Sequence, residues 1–290
     1  THPSATINTT NSLFHCWVCG TGYSEQQFIA KINNIPMLEA GKLLAQLGDK
    51  NEHDWFVVEK ANLWANEDFI KHVEKLGLSR ETIEEYHLGV TTDPLKQLYM
   101  GVPVFFDGVL MDVRSYNLLK IKGVPKWQSR PNAQSGFVFP YDIWKKTKDK
   151  TYLLEGEKDC LIARENGINA VTLTGGAGAT PNEFVVNEFK DRDLVVCFDN
   201  DEAGMKGMRH IYALLKPFCK TIRYLDISKE IPDHKGDVWD FFMKHNKSAE
   251  DFYMIPEQDF GPEDDVKEYT TIREAMEKNL LKKNLLTVVT

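Results

Sequence analysis

Leu153-Leu154-Glu155-Gly156-Glu157-Lys158-Asp159 and Val195-Val196-Cys197-Phe198-Asp199-Asn200-Asp201-Glu202-Ala203-Gly204 decide how this chain is read. Each begins as a short apolar run of the kind that forms a buried strand. Each ends in carboxylates just where a helical pattern takes over. In an open α/β sheet, ligands bind outside the carboxyl ends of the strands. Acidic side chains gathered there can hold hard divalent cations against phosphate oxygens. The pattern points to metal-assisted phosphoryl chemistry.

Around these stretches, the sequence alternates strand and helix from residue 151 onward. Strands are expected at 151–155, 169–173, 193–198 and 220–226, and helices at 157–166, 181–190 and 202–215. That alternation implies an α/β domain with a mainly parallel sheet over 151–246. Asp237–His245 reads as a last short helix. Residues 247–290 read as an acidic linker followed by a helix at Thr271–Lys283.

Upstream, the character is mixed α+β. Residues 24–150 show helical periodicity at Ser24–Ile32, Met37–Leu47, Asn66–Leu76 and Arg80–Tyr86. Val102–Phe106 and Val109–Tyr116, joined by Asp107-Gly108, then form a strong hairpin signal. Residues 1–23 form a small turn-rich unit around Cys16-Trp17-Val18-Cys19-Gly20, whose thiol spacing suits half of a tetrahedral zinc site. The chain opens without Met and closes in an apolar run, so it is expected to be a piece of something longer.

Composition limits the function classes. Five cysteines, only two of them closely spaced, do not form a disulfide framework and suit a reducing cytoplasm. No run approaches the roughly 18 apolar residues of a membrane helix. A net charge of −8 argues against indiscriminate grip on DNA. The charge is uneven, however: residues 111–150 carry seven Lys and two Arg against three Asp. A basic middle beside an acidic metal site suits a polynucleotide-processing enzyme.

The individual residues have plain readings beside the functional ones. Glu155 could cap the following helix or pair with Lys158, and Asp201 is a good N-cap for 202–215. Capping does not account for Asp199. In an extended segment, residues i and i+2 face one side, so Asp199 and Asp201 would share a spot that calls for a cation. Asp237 could complete the cluster, with Asp240 a weaker companion, or simply cap a helix. Arg114, Lys126 and Trp127 are candidates for nucleotide or template contact, as is Lys158; otherwise they belong to an ordinary charged surface. Gly175-Gly176-Ala177-Gly178 lacks the Lys-Ser/Thr of a phosphate loop and reads as a tight turn.

Taken in order, these motifs resemble the bacterial DnaG-type DNA primases and the primase half of phage primase–helicases, from about residue 1 to about residue 245. Pro3-Ser4 with Phe14-His15-Cys16-Trp17-Val18-Cys19-Gly20 resembles the second half of the primase zinc ribbon, whose first ligand pair would lie upstream. Leu76-Gly77-Leu78-Ser79 through Gly89 resembles the start of the RNA polymerase domain, and Val102-Pro103-Val104 to Arg114, with Pro125-Lys126-Trp127, its basic segment. Glu155-Gly-Glu-Lys-Asp159, Asp199-Asn-Asp201-Glu-Ala-Gly and Lys235-Gly-Asp237 match the Toprim fold. The resemblance implies Mg²⁺ or Mn²⁺ held by Glu155, Asp199 and Asp201 with Asp159 and Asp237 assisting. It further implies Zn²⁺ on Cys16 and Cys19, a single-stranded DNA template, nucleoside triphosphates, and a fused or separate helicase as partner. A Toprim nuclease and a noncatalytic replication module remain the alternatives.

Overall fold

The computed structural model describes residues 5–8, 13–16, 22–23, 25–35, 39–40, 60, 62–93, 95–129, 133, 135–181, 183–231 and 236–261. The chain divides into two compact units, Thr1–Ile70 with His87–Gln134, and Lys71–Tyr86 with Ser135–Thr290.

The first unit opens with an antiparallel meander, β1 (Ala5–Asn8), β2 (Leu13–Cys16) and β3 (Gly22–Tyr23), followed by α1 (Glu25–Asn33). Helix α2 (Glu67–Lys75), whose last residues belong to the second unit, begins with Glu67 and Asp68 and ends near His72 and Lys75, charges that complement its dipole. A second antiparallel sheet runs β4 (Gly89–Thr92), β5 (Leu98–Phe106), β6 (Val109–Tyr116) and β7 (Trp127–Gln128) in that order. The hairpin turn expected from Asp107-Gly108 is present, with φ of 52° and 76°. Positive φ at both central residues gives the turn whose twist matches its strands. Pro103 is tolerated inside β5 because β4 pairs only as far as Gly101. Beyond that point β5 has a single neighbour, an edge position of the kind where proline is found in sheets.

The second unit carries a six-stranded sheet in the order β13-β12-β11-β9-β10-β8. Its interior strands, β9 (Thr151–Leu154), β10 (Ala170–Leu173), β11 (Asp193–Cys197) and β12 (Thr221–Leu225), run parallel. Every residue of β9 and β10 is buried, as expected for strands covered on both faces. Helices α5 (Glu157–Glu165) and α7 (Glu202–Leu215) follow β9 and β11, and α6 (Glu183–Val186) runs into a 3₁₀ turn at Asn187–Phe189. The chain also contributes α3 (Arg80–Glu85) from its earlier segment. Ser79 caps α3, and both its N–H and its hydroxyl donate to Glu165 Oε2 at 3.0 Å.

Three features of this unit differ from the sequence reading. β8 (Val138–Phe139) and α4 (Tyr141–Trp144) precede β9, and β8 adds an antiparallel edge strand. The helix expected at 237–245 contains a π-helical turn at Asp240–Lys244. The linker expected from residue 247 is instead α8 (Ala249–Met254), held by a Ser248/Asp251 capping box, and then β13 (Glu257–Gln258), which pairs with β12. The helix expected at Thr271–Lys283 lies outside the described residues. Among the described residues, no helix is long and apolar enough to cross a membrane.

Candidate functional site

Strand order fixes where a ligand can sit. From β9 the chain crosses to β10 on one side; from β11 it moves to β12 on the other. The connections therefore leave adjacent strands β9 and β11 in opposite directions. Such a switch point opens a crevice at the carboxyl ends of the two strands. Glu155 immediately follows β9, and Asp199 lies two residues past β11.

The crevice is built by backbone as much as by side chains. Asp199 N–H donates to Glu155 Oε2 at 3.3 Å, which ties the acid of one strand to the loop of the next. The strand ends at Cys197, and Asp201 N–H turns back onto the Asp199 carbonyl at 2.8 Å. A tight turn, rather than the continued strand assumed from i and i+2 spacing, thus sets the relation of Asp199 to Asp201. Asn200 N–H donates to the Gly236 carbonyl at 3.0 Å, anchoring the middle of the turn. Asp201 is the N-cap of α7, its Oδ1 accepting from Gly204 N–H at 2.8 Å. Glu155, Asp199 and Asp201 are all half-buried.

Two glycines allow α7 to approach this loop. A Cβ at Gly204 would fall on the backbone carbonyl of Asp199. A Cβ at Gly207 would lie 2.6 Å from the Ala177 carbonyl in the glycine-rich turn, where Gly175 and Gly176 have φ of 114° and 75°. The turn read from Gly175-Gly176-Ala177-Gly178 therefore packs against α7. Next to it, Thr180 Oγ1 and His210 Nε2 are 3.2 Å apart, and burial lowers the His210 pKa.

Lys158, Asp159 and Asp237 form a buried, mutually paired group. Lys158 Nζ lies 2.5 Å from Asp237 Oδ2 and 3.5 Å from Asp159 Oδ1, and 5.0 Å from the centre of the Trp239 ring. Asp159 Oδ1 also accepts from Trp239 N–H at 3.1 Å, and Asp237 Oδ1 from Asp240 N–H at 2.8 Å. Sequence reasoning grouped Asp159 and Asp237 with the ion-holding acids and placed Lys158 toward nucleotide. Spacing gave no sign that the three would be joined, because Lys158 and Asp237 are 79 residues apart.

Among the described residues, no group of three or more His, Cys, Asp or Glu side chains is gathered as a metal cage. Asp201 caps a helix, and Asp159 and Asp237 face a lysine. Carboxylates are hard oxygen donors of the kind Mg²⁺ or Mn²⁺ takes, and the one of Glu155 meets the loop after β11 at the switch point. Cysteine chemistry has no place there. Burial pushes the Cys160 thiol up to about 12 and raises that of Cys197 further, so both stay protonated.

The basic candidates lie in the first unit. Arg114 on β6 sits 5.8 Å from the Trp127 ring centre and hydrogen-bonds Ser129. Trp127 packs against Tyr116 with centroids 4.7 Å apart, and Lys126 is exposed. Cys16 ends β2, and Cys19 lies outside the described residues.

Comparison with known proteins agrees with this topology. Residues 152–238 match the family described as Toprim-like. The DNA primase of Clostridium acetobutylicum is 20% identical over 307 residues, covering 85% of this chain and 51% of that protein. The DNA primase of Helicobacter pylori strain 26695 is 20% identical over 256 residues, covering 69% of this chain and 46% of that protein. The chain thus spans about half the length of the curated relatives it matches. The Aquifex aeolicus primase, solved as its zinc-binding and RNA polymerase domains, superposes with a TM-score of 0.55 at 17% identity, covering 98% of this chain and 80% of that one. A DnaG primase catalytic domain bound to single-stranded DNA gives 0.55 at 15% identity, covering 71% and 77%. The second unit therefore holds a Toprim-like domain, in a chain distantly related to bacterial DNA primases.

Proposed function

We propose that this chain is the polymerising part of a DNA primase, joining ribonucleoside triphosphates on a single-stranded DNA template. The observation that carries this reading is the hydrogen bond from the Asp199 backbone N–H to Glu155 Oε2, which ties the acid after β9 to the acid-bearing loop after β11. Glu155, Asp199 and Asp201 are the catalytic acids in this reading. Divalent cations bound there would lower the pKa of an attacking 3′-hydroxyl and neutralise charge on the triphosphate and departing pyrophosphate. The protein's own part is positional: Glu155 is set by the Asp199 amide, and Asp201 by the first turn of α7. Arg114 and Lys126 would supply positive charge for triphosphate or template, and Trp127 a face for base stacking. A helicase, fused or separate, is the natural partner of such an enzyme.

The test is Asp199→Asn combined with Asp201→Asn. Asparagine keeps the shape and the helix cap while removing both charges. Dinucleotide synthesis on single-stranded template should disappear with the circular dichroism spectrum unchanged. Undiminished synthesis would end the proposal. Cleavage of labelled single strands by the unaltered protein, with or without nucleotides, would instead identify a nuclease using the same acids.

A further inference from the structure

Lys158 occupies the first turn of α5, where the aligned peptide dipoles disfavour a cation. It is also only 6% exposed, and a desolvated ammonium is unfavourable unless opposite charge surrounds it. Two carboxylates meet that need, Asp237 at 2.5 Å and Asp159 at 3.5 Å, with the Trp239 ring as a third neighbour at 5.0 Å. Each carboxylate also accepts a backbone N–H, from Asp240 and Trp239 respectively. Both acids are thus supplied with positive charge and donors from within the protein.

We propose that Lys158 is a built-in cation for Asp159 and Asp237, which withholds these two carboxylates from metal and confines divalent-ion binding to Glu155, Asp199 and Asp201. The inference deepens the polymerase reading and rests on it for the location of the bound ions. Lys158 acts as a positioning residue. It clamps the 236–240 segment to α5, and the Gly236 carbonyl of that segment anchors Asn200 between the two acids of the crevice. The same clamp that balances charge therefore also sets the catalytic turn.

The experiment counts Mn²⁺ bound to the full chain, by titration followed through the free-ion electron paramagnetic resonance signal. Lys158→Met removes the internal cation and leaves two facing carboxylates, so this variant should bind one more Mn²⁺ than the unaltered protein. Its melting temperature should fall without metal and recover on Mn²⁺ addition by more than the unaltered protein gains. An unchanged ion count with an equal melting shift would overturn the proposal. Should Lys158→Met fail to fold, the double variant Lys158→Met/Asp237→Asn, which removes both charges together, still decides. It should bind Mn²⁺ with the unaltered count; loss of an ion would make Asp237 a ligand and overturn the proposal. A count of zero for the unaltered protein would instead defeat the metal reading of the crevice, while the gain in Lys158→Met would still report on the lysine.

Discussion

At the scale of single residues, the crevice depends on what is missing as well as on what is charged. Gly204→Ala would improve helix propensity by about 1 kcal/mol. The added methyl, however, falls on the Asp199 backbone, which cannot rotate away as a side chain would. Overpacking of this kind costs about 1–3 kcal/mol, so the clash outweighs the propensity. We expect a lower urea midpoint for Gly204→Ala and a larger loss of polymerisation, since the turn carrying Asp199 must shift. Asp201 has two separable roles. Asp201→Ala loses the cap and should destabilise by about 1 kcal/mol, whereas Asp201→Asn keeps the cap and should leave stability nearly unchanged. Equal loss of stability in the two variants, measured in urea, would remove the capping role. The strand-end positions of Glu155 and Asp199, and the capping position of Asp201, were legible in the sequence because they follow directly from the apolar pattern. The setting of Lys158 was not. A lysine is read as exposed by default, and only the fold brings Asp237 to it across 79 residues.

Among elements, the interior strands and α7 announced themselves through uninterrupted apolar runs and helical spacing. The edge strands did not, because two residues hold too little pattern to detect. Charge reinforces the backbone pairing of β13 with β12. Glu257 accepts from Lys150 Nζ at 2.5 Å and from Arg223 at 2.9 Å, while Phe260 stacks on Tyr212 with centroids 4.1 Å apart. Burial works to raise the Glu257 pKa, but the two cations outweigh it and leave it lowered. A carboxyl depressed on folding stabilises the native state above the ordinary carboxylate range and ceases to do so as pH falls through its folded value. Amide exchange in 257–258, corrected for intrinsic rate, should therefore accelerate as pH drops below that range. Glu257→Gln should exchange quickly at all pH values, without this dependence. A pH-independent, slow exchange in the unaltered protein would show that the aromatic stack alone holds the strand.

For the whole molecule, the boundary of the second unit differs from the one composition suggested. The acidic Glu/Asp/Pro mixture after residue 247 reads as linker, yet Phe252 is fully buried and Ile255 nearly so. Burying two such side chains contributes about 3–6 kcal/mol in total. Set against the 5–15 kcal/mol typical of a folded domain, that is decisive. A chain ending at Lys247 should therefore melt well below one ending at Gly261, or fail to stay soluble, and equal melting temperatures would refute this boundary.

The second unit is also discontinuous in sequence, with Lys71–Tyr86 separated from the rest by the insertion of His87–Gln134. Trp239 Nε1–H donates to the Leu76 carbonyl at 2.7 Å, across 163 residues. On the ribosome, where the amino end emerges first, that carbonyl stays without its indole donor until residue 239 has been synthesised. A segment made early in this unit therefore completes its hydrogen bonding only through a residue added 163 positions later.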